Sequence, residues 1–125
     1  MGTEVLNRSN EGKNVEITLV TRETDGYSVV EVSGEVDVYT APQLDEQLSG
    51  LVEAGSYQLV VDLSAVGFLD STGLGVLVKA LKRVREHGGS LAVVTSTDRI
   101  SKVFRITGLD TAIGLHSSVD EAVAG

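Results

Sequence analysis

The sequence predicts a single-domain α/β fold: a mixed β-sheet that opens with an N-terminal hairpin and carries its helices mainly on one face. Three observations predict it. Two segments of strand character flank Thr24-Asp25-Gly26, a turn signal, and so pair as a hairpin. After residue 40, short apolar runs alternate with stripes at helical spacing, and strands joined through helices pair in parallel by right-handed crossovers. The 125 residues fit one domain, and an apolar content of 42% is enough to build a core.

The elements follow in order. Residues 1–14 are polar and turn-rich (Asn7-Arg8-Ser9-Asn10-Glu11-Gly12) and are expected to form a flexible tail ahead of a domain at 15–125. Val15, Ile17 and Leu19 alternate with polar residues, the pattern of a half-buried strand. Tyr27 to Val32 is rich in β-branched residues and supplies the second strand of the hairpin. Thr40 with Gln43 three residues later fits a capping box, and Pro42 suits a first helical turn. Leu44, Leu48, Leu51 and Val52 continue that helix, and Gly55 ends it.

Gln58 to Leu63 is an apolar run that predicts a strand buried on both faces. A helix follows Asp70-Ser71-Thr72-Gly73, with Leu74, Leu77, Val78, Leu81 and Val84 along its apolar stripe and Gly88-Gly89 as its stop. Leu91 to Val94 is the next strand. Thr97 or Asp98 caps a helix whose Ile100, Val103 and Phe104 share a face, and Gly108 ends it. Ala112 to Leu115 reads as a short extended segment, and Ser117 or Ser118 caps a last helix over 119–124.

Composition excludes several functions. The formal net charge is −8, which disfavours a nucleic acid backbone or an anionic membrane surface as partner and favours a basic protein partner. Cysteine is absent, so there is no disulfide, thiolate metal site or cysteine nucleophile. No apolar run is long enough to span a bilayer and the N-terminus lacks a secretion core, so a cytoplasmic location is the default expectation. His87 and His116 lack spaced metal-ligand partners and read as surface histidines. Lys79, Lys82, Arg83 and Arg85 read as a solvated helix face near a helix C-terminus. No metal, cofactor or catalytic residue is expected.

The distinctive stretch is Asp70-Ser71-Thr72-Gly73-Leu74-Gly75. Capping alone accounts for Asp70, Ser71 and Thr72. It does not account for Gly73 and Gly75, each of which costs about 0.5–1 kcal/mol relative to alanine in a helix. Their smallness points to a close approach to the backbone. A phosphate on Ser71 would add about −1.5 to −2 charges at the positive end of the helix, where unpaired N–H groups are expected to receive it. Other chemistry is weaker here. The glycine pattern lacks the third glycine of a dinucleotide loop, no Gly-Lys-Ser/Thr phosphate loop exists, and no base histidine is indicated near Ser71 for a hydrolase.

The Asp70–Val76 motif after the Val60-Val61-Asp62-Leu63-Ser64 strand resembles the signature of bacterial anti-sigma factor antagonists, the STAS domain. Gly34-Glu35-Val36-Asp37 before Thr40-Ala41-Pro42 resembles the family's other marked segment, and Val103-Phe104-Arg105-Ile106-Thr107-Gly108-Leu109 its C-terminal half. The resemblance spans about residues 15 to 124. It implies the STAS fold and a partner switch without enzymatic activity of its own. The unphosphorylated antagonist binds an anti-sigma factor that is also a serine kinase, phosphorylation at Ser71 breaks the complex, and a phosphatase resets it. The implied partner-binding residues are Asp37, Asp70, Thr72, Gly73 and Gly75. The alternative is a nucleotide- or small-ligand-binding sensor of the same fold that uses the Gly73/Gly75 turn as a cradle.

Overall fold

The computed structural model describes residues 4–10 and 15–124, with side chains described from residue 17 onward. The chain runs β1 (Glu4–Asn10), β2 (Val15–Thr24), β3 (Tyr27–Val36), α1 (Ala41–Glu53), β4 (Gln58–Leu69), α2 (Ser71–Arg85), β5 (Ser90–Val94), α3 (Asp98–Thr107), a 3₁₀ turn (Leu109–Thr111), β6 (Gly114–His116) and α4 (Val119–Ala124). The six strands form one sheet in sequence order. β1–β2 and β2–β3 are antiparallel, and β3–β4, β4–β5 and β5–β6 are parallel. Each parallel junction is bridged by a helix, because strands that run the same way need a crossover to return the chain to its starting edge.

Strand alternation sorts the core into two layers. Val30, Val32, Leu59, Val61, Leu63, Leu91 and Val93 pack with α1, α2 and α3 in the larger cluster. Val29, Val60 and Val94 point the other way and are covered by Ala122 of α4, with Val119 and Val123 beside it. The helices therefore lie mainly on one face, as the sequence predicts, with the short α4 on the other. The buried run on β4 has the two-sided burial expected of a central strand: Leu59, Val60 and Val61 are all fully buried. At the hairpin, Asp25 (φ 52°) and Gly26 (φ 83°) both take positive φ, the two-residue turn whose twist matches paired antiparallel strands.

Three expectations are corrected. The stretch expected as a flexible tail contains β1, which pairs with β2 from Glu4↔Thr21 to Asn10↔Val15. Residues 1–3 and 11–14 of that stretch lie outside the described residues. β4 does not stop at Leu63 but runs on to Leu69. Its pairing with β3 shifts register between Glu31 and Ser33 and again between Gly34 and Glu35. These irregularities leave the buried residues Leu63, Val66 and Leu69 three apart, so the period of two that signals a strand is lost. Finally, Thr40 is the N-cap of α1 but makes no side-chain cap bond, so there is no capping box. Its hydroxyl turns back into the preceding loop instead.

Candidate functional site

The strands β3 and β4 deliver their carboxyl ends side by side, with Glu35 opposite Phe68 and Val36 opposite Leu69. The backbone N–H of Asp70 then donates to the Val36 carbonyl (3.2 Å). This bond ties the loop between β3 and α1 to the start of α2. In parallel α/β sheets, such carboxyl ends are where partners and ligands are met.

Asp70 is the N-cap of α2, with extended backbone (φ −109°, ψ −174°). Its Oδ1 accepts from the N–H groups of Thr72 (2.9 Å) and Gly73 (3.2 Å), and its carbonyl accepts from Leu74 N–H (3.1 Å). Ser71 is the first helical residue, and both Ser71 and Thr72 are exposed. The Asp70 cap stabilises the first turn, so the Ser71 and Thr72 hydroxyls are presented to solvent on anchored backbone. The expectation that the helix end offers unpaired N–H groups is corrected at Thr72 and Gly73, where the Asp70 carboxylate accepts from both.

The two glycines have different reasons. A Cβ on Gly73 would lie 2.6 Å from Val36 Cγ1 and 2.6 Å from Leu69 Cδ1. Gly73 is buried, and its smallness serves the domain's own packing. Gly75 is exposed, and a Cβ there would meet nothing within 4 Å. Nothing inside the domain requires glycine at that position.

Asp37 is half-buried and organises its own loop. Its Oδ1 accepts from Tyr39 N–H (2.9 Å) and Thr40 N–H (3.1 Å). Thr40, fully buried, donates through its hydroxyl to the Glu35 carbonyl (2.7 Å) and accepts from Asp37 N–H (3.0 Å). The structure thus brings the Asp37 loop and the Asp70–Gly75 turn to one edge. Each carboxylate is spent on neighbouring backbone donors.

Sequence reasoning missed the apolar part of this edge. Val38 (59% exposed) and Tyr39 (49%) sit on the Asp37 loop, and Phe68 (45%) precedes the α2 cap. Isolated exposed apolar side chains are ordinary, but three on adjoining segments beside the helix start are a feature of this edge. The available signal was Val38-Tyr39 standing between Asp37 and Thr40, where a loop would normally be polar.

Other residues weighed from the sequence have local roles. His87 stacks on Tyr57 with ring centroids 4.1 Å apart, and His116 Nδ1 lies 3.5 Å from Glu121 Oε1. Lys79 pairs with Asp45 (3.1 Å), Arg83 reaches Glu53 (3.9 Å) and Arg85 donates to the Ala112 carbonyl (3.2 Å). These contacts join α2 to α1 and to the segment after the 3₁₀ turn. Among the described residues no group of three or more His, Asp or Glu side chains could hold a metal, and no helix is long and apolar enough to cross a membrane.

Residues 18–122 match the family model described as STAS domain. The anti-sigma-B factor antagonist of Staphylococcus aureus (strain NCTC 8325 / PS 47) is 38% identical over 104 residues, covering 83% of this chain and 96% of that protein. Its counterpart in Staphylococcus epidermidis is 38% identical over 107 residues, 86% of this chain and 97% of that one. The crystal structure of an anti-sigma factor antagonist from Mycobacterium paratuberculosis superimposes with a TM-score of 0.80 at 37% identity, covering 86% of this chain and 92% of that chain.

Proposed function

The chain belongs to the STAS domain family, and from that premise we propose that it is an anti-sigma factor antagonist switched by phosphorylation at Ser71. Unphosphorylated, it binds an anti-sigma factor with serine kinase activity and so frees a sigma factor. The observation that carries the reading is the exposed Ser71, held as the first residue of α2 by the Asp70 cap, on the edge that also exposes Val38 and Phe68. Relatives named as antagonists, matched over 96% and 97% of their own lengths, support it.

The chemistry needs nothing catalytic from this chain. The kinase brings ATP, and the Ser71 Oγ attacks the γ-phosphorus. The bond from that phosphorus to the bridging oxygen breaks, ADP leaves with the electron pair, and the hydroxyl proton passes to a base of the kinase. The partner surface closes on Asp37, Asp70, Thr72, Gly75 and the apolar rim; Gly73, expected there from the sequence, is buried and supports the turn from beneath. A phosphoryl group at position 71 then forces that surface to bury a charge it was not built to receive. Burying an uncompensated charge costs several kcal/mol, enough to weaken binding by orders of magnitude. A phosphatase returns the chain to its binding form.

The test is phosphosite mapping after incubation with the cognate kinase and ATP, with calorimetric titration of native, Ser71→Ala and Ser71-phosphorylated protein against that kinase. A single phosphate on Ser71, none on Ser71→Ala, and loss of affinity on phosphorylation are expected. Full labelling of Ser71→Ala, or equal affinity of both native forms, overturns the reading.

A further inference from the structure

We propose that Asp70 is a positioning residue for the switch: its carboxylate holds the backbone donors that a phosphoryl group on Ser71 would otherwise take, so the added charge stays on the outer surface. The inference rests on the reading of Ser71 as phosphoacceptor.

A phosphate on the first residue of a helix ordinarily folds back onto the N–H groups of the first turn, which the helix dipole favours. In this chain those of Thr72 and Gly73 already donate to Asp70 Oδ1 and that of Leu74 donates to the Asp70 carbonyl, which leaves the N–H of Ser71 itself as the first-turn donor not bound to Asp70. The turn cannot easily rearrange to serve two acceptors. Gly73 is wedged against Val36 and Leu69, and the Asp70 backbone is held by the Val36 carbonyl. To reach the helix end, the phosphate would have to displace a carboxylate of like charge, and two anions sharing one set of donors repel.

Beyond the N–H of Ser71 the phosphate therefore finds no further donor in the first turn and stays largely in water beside Asp70. Any partner docking on this edge must desolvate all of it. With no capping oxygen at position 70 the same phosphate would take the freed N–H groups of Thr72 and Gly73 and would read more weakly from outside. Asp70 thus makes the modification a surface-charge signal and leaves the fold unchanged.

The test uses protein carrying phosphoserine at position 71 installed during translation, which needs no kinase, in native, Asp70→Ala and Asp70→Asn forms. Amide proton shifts of Thr72 and Gly73 and the phosphorus titration of the phosphate are followed by NMR. In the native chain the two amides stay in place as the phosphate ionises, and the phosphate titrates at or above its ordinary value of about 6. In Asp70→Ala both amides move downfield on ionisation, and the phosphate titrates about 1 unit lower than in the native chain. Asp70→Asn keeps the capping oxygen, so it guards against a failure of the alanine variant to fold. Its amides stay in place, and its phosphate titrates lower than the native one because a neighbouring charge is gone. Native amides that move downfield with ionisation overturn the inference, as does identical titration in all three forms. A cognate kinase that leaves Ser71 unlabelled overturns the phosphoacceptor reading instead, and the translated phosphoserine keeps the two results separate.

Discussion

Val36 fills the space that a side chain on Gly73 would need: its Cγ1 lies 2.6 Å from where that Cβ would stand. Val36 is fully buried and β-branched, so its rotamer has little room to give. Gly73→Ala should therefore destabilise the domain by about 1–3 kcal/mol, the usual cost of overpacking. Gly75→Ala should do the reverse in stability, gaining about 0.5–1 kcal/mol of helix propensity in open space, while weakening partner affinity where the anti-sigma factor approaches α2. Urea melts and calorimetric titration of both variants check the pair. Full affinity in Gly75→Ala would take position 75 out of the interface.

Thr40 and Asp37 hold the loop that presents Val38 and Tyr39. Thr40→Val leaves the Asp37 N–H and the Glu35 carbonyl without the buried hydroxyl and should cost about 1–3 kcal/mol. Asp37→Ala leaves the Tyr39 and Thr40 N–H donors without their acceptor and should cost about 1 kcal/mol, while Asp37→Asn, which keeps an oxygen there, should cost less. Thermal melts rank the three. An Asp37→Ala variant as stable as native protein would show that the loop does not depend on this carboxylate.

The exposed apolar rim separates binding from folding. Val38→Ser and Phe68→Ser remove surface that faces solvent in the free domain, so melting temperatures should change little. Each should raise the dissociation constant for the anti-sigma factor about tenfold or more, as loss of an anchor at an interface does. Titration by calorimetry reads this directly, and native affinity in both variants would move the docking surface elsewhere.

The start of α4 should respond to acid. Glu121 has its carboxyl held below its ordinary value of 4.5, chiefly by the Ser117 N–H, which donates to Oε1 at 2.8 Å, with smaller help from His116. A depressed folded-state value means that the carboxylate supports the fold above about pH 4.5 and loses that support as pH falls through the lower folded value. The Ser117 amide shift, followed by NMR through this range, should titrate with Glu121. Glu121→Gln should flatten the curve, and a native Ser117 amide insensitive to acid would refute the link.

Much of the site was legible because its signals are local. The helix start at Asp70-Ser71-Thr72-Gly73 and the stripe from Leu74 to Val84 depend on residues within a turn or two of each other, where spacing and capping chemistry act directly; the structure then selects Asp70 among the cap candidates. The same holds for Thr97, whose hydroxyl accepts from Ile100 N–H (3.4 Å), and for Ser118, which accepts from Glu121 N–H (3.1 Å). The supposed capping box at Thr40 failed because its hydroxyl oxygen accepts from the preceding Asp37 N–H, while its proton goes to the Glu35 carbonyl of β3.

The sequence by itself determined the order of elements, the faces that enter the core and the helix start that carries Ser71, because periodicity and caps are properties of neighbouring residues. Only the tertiary structure decided why Gly73 is glycine, how far β4 extends, that β1 joins the sheet, and which apolar side chains are left exposed on the segments adjoining the start of α2. Each of these depends on segments far apart in the chain lying side by side. Val36 meets Gly73 and Asp70 only after β3 and β4 have paired in parallel with two shifts of register, and no local pattern encodes where those shifts fall.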